Sequence, residues 1–127
     1  MKRFLLALMI GLASACERST APVAGLLNVG LTTPNSGGDA AILVGITGPA
    51  ALTSVSAPTG LRLFTQPLSL GTTNRFALTG TIRAGTILTI GVADVGKASA
   101  YVATVQQVAT PAYQLRALTG YSVKVAP

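Results

Sequence analysis

The chain contains no histidine and no tryptophan, a single cysteine and three acidic residues among 127. Each shortage removes a class of chemistry. A serine hydrolase needs a base beside its nucleophile, usually an imidazole, and none is present. Transition-metal sites draw on imidazole, thiolate or thioether, and both methionines, Met1 and Met9, fall in the first ten residues. Glu17, Asp39 and Asp94 are isolated from one another. Calcium coordination needs several convergent carboxylates and glycosidic cleavage needs two facing one bond. Asp39 instead closes the segment Pro34-Asn35-Ser36-Gly37-Gly38-Asp39, which reads as a turn because Asn and Gly accept positive φ.

Lys97 and Ser99 would share a face of an extended segment, but no motif surrounds them, and Gly96-Lys97-Ala98-Ser99 reads as an exposed turn before a strand. The glycines occupy turn positions and never adopt phosphate-cradling spacing. The expectation is a non-enzyme with no cofactor and no metal.

Charge is also scarce, at 9% of residues, with a formal net value of +6. Beyond Lys2 and Arg3 the cations are Arg18, Arg62, Arg75, Arg83, Lys97, Arg116 and Lys124, never adjacent. Nucleic-acid binding calls for a clustered basic footprint or interleaved stacking aromatics. Neither is found, so no nucleic-acid partner is expected.

What the chain does have begins at its start, MKRFLLALMIGLASAC. Lys2 and Arg3 precede an apolar stretch from Phe4 to Ala15, which falls short of the roughly 20 residues a membrane-spanning helix requires. That pattern is a cleavable export signal. Leu12-Ala13-Ser14-Ala15-Cys16 resembles the lipobox of bacterial lipoproteins. The resemblance implies cleavage before Cys16, acylation of that thiol and a membrane partner reached through the lipid. In such proteins Asp directly after the cysteine favours inner-membrane retention; Glu17 stands here, which implies the outer membrane. Cleavage around Ala13-Ser14-Ala15 without acylation, giving a soluble periplasmic or secreted protein, is the alternative. The expected organisation is a signal peptide at 1–15, the lipidated cysteine and a short tether at 16–23, and one domain at 24–127.

From Ala24 the chain is rich in Val, Leu, Ile and Thr, broken every eight to twelve residues by Gly, Pro or Asn. That rhythm predicts short strands in a small antiparallel β-sandwich, immunoglobulin-like or cupredoxin-like. Strands are expected at 25–32, 40–47, 51–55, 61–65, 74–83, 86–92, 99–107 and 113–125. In the last, Tyr113, Leu115, Ala117, Thr119, Tyr121, Val123 and Val125 share one parity, with Thr119-Gly120 as a bend, bulge or turn. Lys124 points outward and guards the edge. Phe64 and Phe76 are expected in the core, while the tyrosines can pack a ring and still reach water. The repeated Ala-Leu-Thr-Gly at 77–80 and 117–120 has diverging flanks and reads as coincidence.

The run Ala40-Ala41-Ile42-Leu43-Val44-Gly45-Ile46-Thr47-Gly48-Pro49-Ala50-Ala51, followed by Ile82-Arg83-Ala84-Gly85-Thr86-Ile87-Leu88-Thr89, resembles periplasmic copper-chaperone domains of the cupredoxin-like sandwich type. The resemblance implies the sandwich alone, because Leu52-Thr53-Ser54-Val55 lacks the histidine ligand that family places there. The function expected from the sequence is that of a lipid-anchored module binding an envelope protein or cell-wall polymer. A periplasmic carrier of apolar ligands or lipids is the alternative, favoured if a cavity lined by Leu, Val and Ile exists.

Overall fold

The N-terminal run into the first strand, Gly25-Leu-Leu-Asn-Val-Gly-Leu-Thr32, alternates large apolar with small or polar residues, and it sets the pattern for the domain. The computed structural model describes residues 21–127. Cys16, the segment expected as a signal peptide and most of the tether lie outside the described residues. The elements are β1 (Gly25–Thr32), β2 (Asp39–Thr47), β3 (Ser54–Ser56), β4 (Arg62–Thr65), β5 (Thr73–Ile82), β6 (Gly85–Val92), β7 (Val102–Ala109) and β8 (Ser122–Ala126). Short 3₁₀ segments at Leu68–Leu70 and Val95–Ala100 precede β5 and β7. Among the described residues no helix is long and apolar enough to cross a membrane.

The protein is an all-β antiparallel sandwich of two four-stranded sheets, ordered β3-β6-β1-β8 and β4-β5-β2-β7. Alternation determines which side chains meet between them. Leu27, Val29 and Leu31 of β1 and Leu88, Ile90 and Val92 of β6 face Ile42, Val44 and Ile46 of β2 and Phe76, Leu78 and Ile82 of β5, all 3% exposed or less. Fully burying each such side chain contributes about 1.5–3 kcal/mol of transfer free energy.

Three irregularities adjust these registers, the first between β2 and β5, where Asp39 pairs with Ile82 and Ala41 with Thr79. Val29 pairs with Leu88 and Gly30 with Thr86, so Ile87 is the extra residue and is buried beside Leu88. In β7, Gln107 pairs with Leu43 and Val105 with Val44, leaving Gln106 unpaired. Its side chain lies over Gly45, where a Cβ would stand 2.5 Å from Gln106 Nε2. A larger residue at position 45 would require that amide to swing aside.

The registers define two poles. At the proximal pole, where the described chain begins, Gly25 pairs with Val92, Ser54 with Gly91, and Thr47 with both Thr73 and Val102. At the distal pole lie the β1–β2 turn, the β5–β6 turn and the long segment 110–121 before β8.

Several expectations need correction. The strand expected at 113–125 is a strand only over Ser122–Ala126. The turn expected at Thr119-Gly120 is present, with Gly120 at φ +83°, but residues 113–118 before it form no strand; Val123 and Val125 keep the inward parity. The strand expected at 99–107 starts at Val102, because Ser99 belongs to the 3₁₀ segment. The strand at 51–55 is confined to Ser54–Ser56. Phe64 is not core: Leu63 takes the inward position on β4 and leaves Phe64 51% exposed on the outer face. Phe76 is fully buried. The two Ala-Leu-Thr-Gly runs fall in β5 and in a loop, so they are no structural repeat.

Candidate functional site

Beyond β7, Pro111 cannot donate to a ladder and its ring restricts Thr110 before it. The chain therefore turns. Tyr113 N–H donates to the Thr110 carbonyl (3.0 Å) and Thr110 N–H to the Gln114 carbonyl (2.8 Å), closing a tight loop. The return leg lies against the strand it left, through an Ala109–Leu115 bridge and the Arg116 N–H donating to the Val108 carbonyl (2.8 Å).

At the tip stands Tyr113, 95% exposed, with φ +63°. It is the one non-glycine residue in the left-handed region among the described residues. That conformation costs roughly 1–2 kcal/mol for an L-residue, and a bulky side chain rarely adopts it. The loop is held in place from below by a buried polar cluster.

Asp39, at the first position of β2, is 2% exposed. Its Oδ1 accepts from Arg116 Nε (2.6 Å) and its Oδ2 from the Tyr121 hydroxyl (2.5 Å). That hydroxyl in turn accepts from Asn35 Nδ2 (2.8 Å). The hydrogen bond to Asp39 is the main reason the Arg116 guanidinium is held above its ordinary pKa, against an opposing contribution from burial. The guanidinium stays charged at any physiological pH. Further ties join the neighbouring loops: Gly37 N–H donates to the Ile82 carbonyl (2.7 Å) and Ala84 N–H to Ser36 Oγ (2.9 Å). The whole distal pole is thereby one braced unit.

Leu115, 68% exposed, continues this pole onto the outer face of the β4-β5-β2-β7 sheet. There it borders a shallow depression of about 250 Å³ floored by Ala41, Leu43, Ala77 and Ala109. Leu43 and Ala77 also line a second groove, of about 480 Å³, that runs to Phe64 and Arg75. The Arg62 guanidinium sits 5.7 Å from the centre of the Phe64 ring, a cation–π distance. One apolar track thus runs from Phe64 to Leu115, with Arg62 and Arg75 as its charges. The outer face of the other sheet is more polar, with Asn28, Thr89, Ser54 and Ser56 along it and Leu26 at its proximal end; the Thr89 hydroxyl donates to Asn28 Oδ1 (3.3 Å).

The other residues singled out in the sequence are not brought together. Lys97 and Ser99 sit in the 3₁₀ segment at the proximal pole, not in an extended strand. Asp94 Oδ1 accepts from Gly96 N–H (3.0 Å) and Val23 N–H (3.3 Å), fastening the start of the domain. Among the described residues no three His, Cys, Asp or Glu side chains cluster to hold a metal ion. Cys16 lies outside the described residues.

Sequence reasoning missed the Tyr113 loop by reading it as strand. Pro111, next to Thr110 and followed by a polar residue every second or third position, was the available signal. The Asp39–Arg116 pair, separated by 77 positions, had no local signature. Comparisons with protein-family models, curated protein sequences and solved structures found no match.

Proposed function

We propose that the protein is a non-catalytic lipoprotein of the outer membrane, acylated at Cys16, whose domain binds an envelope protein or cell-wall polymer through the distal pole and the adjoining sheet face. The observation that carries this reading is Tyr113. A large amphipathic side chain is held fully in solvent, at a backbone cost, on a loop braced by the half-exposed Arg116 on the buried Asp39 carboxylate. Strained residues of this kind persist where surrounding structure fixes them, and they concentrate at binding sites. Rigid aromatic side chains lose little entropy on contact, which suits them as anchors of an interface.

Leu115 and the track to Phe64 supply apolar area beside the anchor, rimmed by Arg62 and Arg75. The carrier alternative has less support. The Leu, Ile and Val side chains that would line a cavity pack on one another in a single core cluster, and the grooves open outward.

The test begins with the protein expressed with its own leader, beside Cys16→Ala. Intact mass and envelope fractionation should show loss of residues 1–15, added acyl mass and membrane association for the parent alone. A photoreactive residue is then placed at Tyr113 and, as a control, at Thr89 on the opposite outer face. A cross-link to one envelope component from position 113 and none from position 89 supports the reading. Equal labelling from both positions, or a soluble unacylated parent, sinks it.

A further inference from the structure

The proximal pole carries its own set of exposed aliphatic side chains: Val23 (61% exposed), Leu70 (72%) and Val102 (58%), with Leu26 (64%) one step along β1. They come from three separate stretches of chain. Val23 is fixed by its carbonyl accepting from Val95 N–H (2.8 Å). Leu70 ends the 3₁₀ turn before β5, which is tied to this pole by Gly48 N–H donating to the Thr72 carbonyl (3.1 Å). Val102 opens β7 opposite Thr47. Single exposed aliphatics are ordinary on any surface. Their gathering at the end where the domain begins is not explained by the fold, since none of them closes the core.

We infer that this pole seats on the lipid surface, with Val23, Leu70 and Val102 against the boundary between headgroups and acyl chains. The inference rests on the proposed acylation of Cys16. Only Glu17–Pro22 separates Cys16 from Val23, a reach of at most roughly 25 Å even if fully extended. An acylated Cys16 therefore keeps this end within one domain diameter of the bilayer, and leaves no comparable space for a protein partner beneath it. Charge agrees: Lys97 is exposed at this end, and the Asp94 carboxylate is occupied by the Val23 and Gly96 amides. No aromatic belt is present, so the contact adds to the acyl anchor and fixes orientation, as a second weak signal does beside a lipid chain. The same orientation points Tyr113 away from the membrane.

The chain has no tryptophan, so one introduced indole reports one place. The full chain is expressed with its own leader as Leu70→Trp, Val102→Trp or Leu115→Trp. Each is reconstituted into phosphatidylethanolamine and phosphatidylglycerol vesicles containing phosphatidylcholine brominated on its acyl chains. Where mass spectrometry finds Cys16 unacylated, the lipoprotein reading fails by that result alone, and the free thiol is coupled to a maleimide lipid so that the pole is still tested. The inference expects bromine to quench Leu70→Trp and Val102→Trp at least about twofold, as for side chains seated 5–10 Å into the interface, with Leu115→Trp unchanged. Tethered protein in which both proximal indoles are as unquenched as Leu115→Trp overturns it, as does equal quenching of all three. Two exposed reporter sites guard against one variant failing to fold.

Discussion

At the distal pole, three loops are tied by side-chain hydrogen bonds around the buried Asp39 carboxylate. At the proximal pole, the loops are fastened by backbone contacts, by the partly exposed Asp94 and by the Tyr101 ring packed over Gly48. The exposed large apolar residues divide the same way. Val23, Leu70 and Val102 belong to the proximal end and Tyr113, Leu115 and Leu118 to the distal one, with Phe64 between. Only the distal set includes an aromatic tip in a costly conformation. A surface that must meet one partner in one pose gains from a fixed backbone beneath it, whereas a surface that meets a fluid lipid needs apolar area and no fixed geometry.

The largest expected effect breaks the brace. Asp39→Ala leaves Arg116 and Tyr121 without their acceptor, and should cost about 1.5–3 kcal/mol in urea unfolding, the value of hydrogen bonds to a charged group. Hydrogen exchange should speed up across 110–121 while amides 47–53 and 93–101 keep their protection. Equal loss at both poles would show that the brace serves the whole domain and not the loop.

The proximal pole offers an opposite experiment. Asn74 is buried at its inward position on β5, and its Nδ2 has no hydrogen-bond partner. Asn74→Leu replaces the unsatisfied amide by apolar groups on the same branched skeleton and should raise stability by about 1 kcal/mol. No gain would mean that the amide has a partner in solution, such as a bound water.

The smallest expected change is at Tyr113. Glycine accepts φ +63° freely, so Tyr113→Gly should stabilise the fold, or leave it unchanged, by no more than about 1 kcal/mol. Cross-linking from a photoreactive residue at Leu115 should nevertheless fall. Undiminished partner capture would remove Tyr113 from the interface.

The legibility of these features in the sequence follows their range along the chain. β1 was readable to the residue, because Leu27, Val29 and Leu31 alternate with smaller or polar neighbours over an uninterrupted strand. Leu88, Ile90 and Val92 were readable for the same reason. Phe64 was misplaced because a four-residue edge strand offers too few positions to set parity. Tyr113 and Leu115 were misplaced because period-two alternation continues by chance through a loop whose course is set by Pro111, Gly120 and the distant Asp39. The brace joins Asn35, Asp39, Arg116 and Tyr121, residues that only the completed sandwich brings together.

The strand order has a consequence for how the chain reaches this state. β1 lies between β6 and β8, and β2 lies between β5 and β7. Both central strands come from the N-terminal part of the domain, and every partner they have comes from later in the chain. No stable nucleus can form from the early strands alone, and the non-local pairings that complete the sheets close slowly. During synthesis β2 therefore lacks its first partner until β5 (Thr73–Ile82) has been made, and β1 until β6 (Gly85–Val92) has followed. For a protein exported as proposed, that delay preserves the unfolded form a translocation channel accepts, and sandwich closure becomes an event of the compartment beyond.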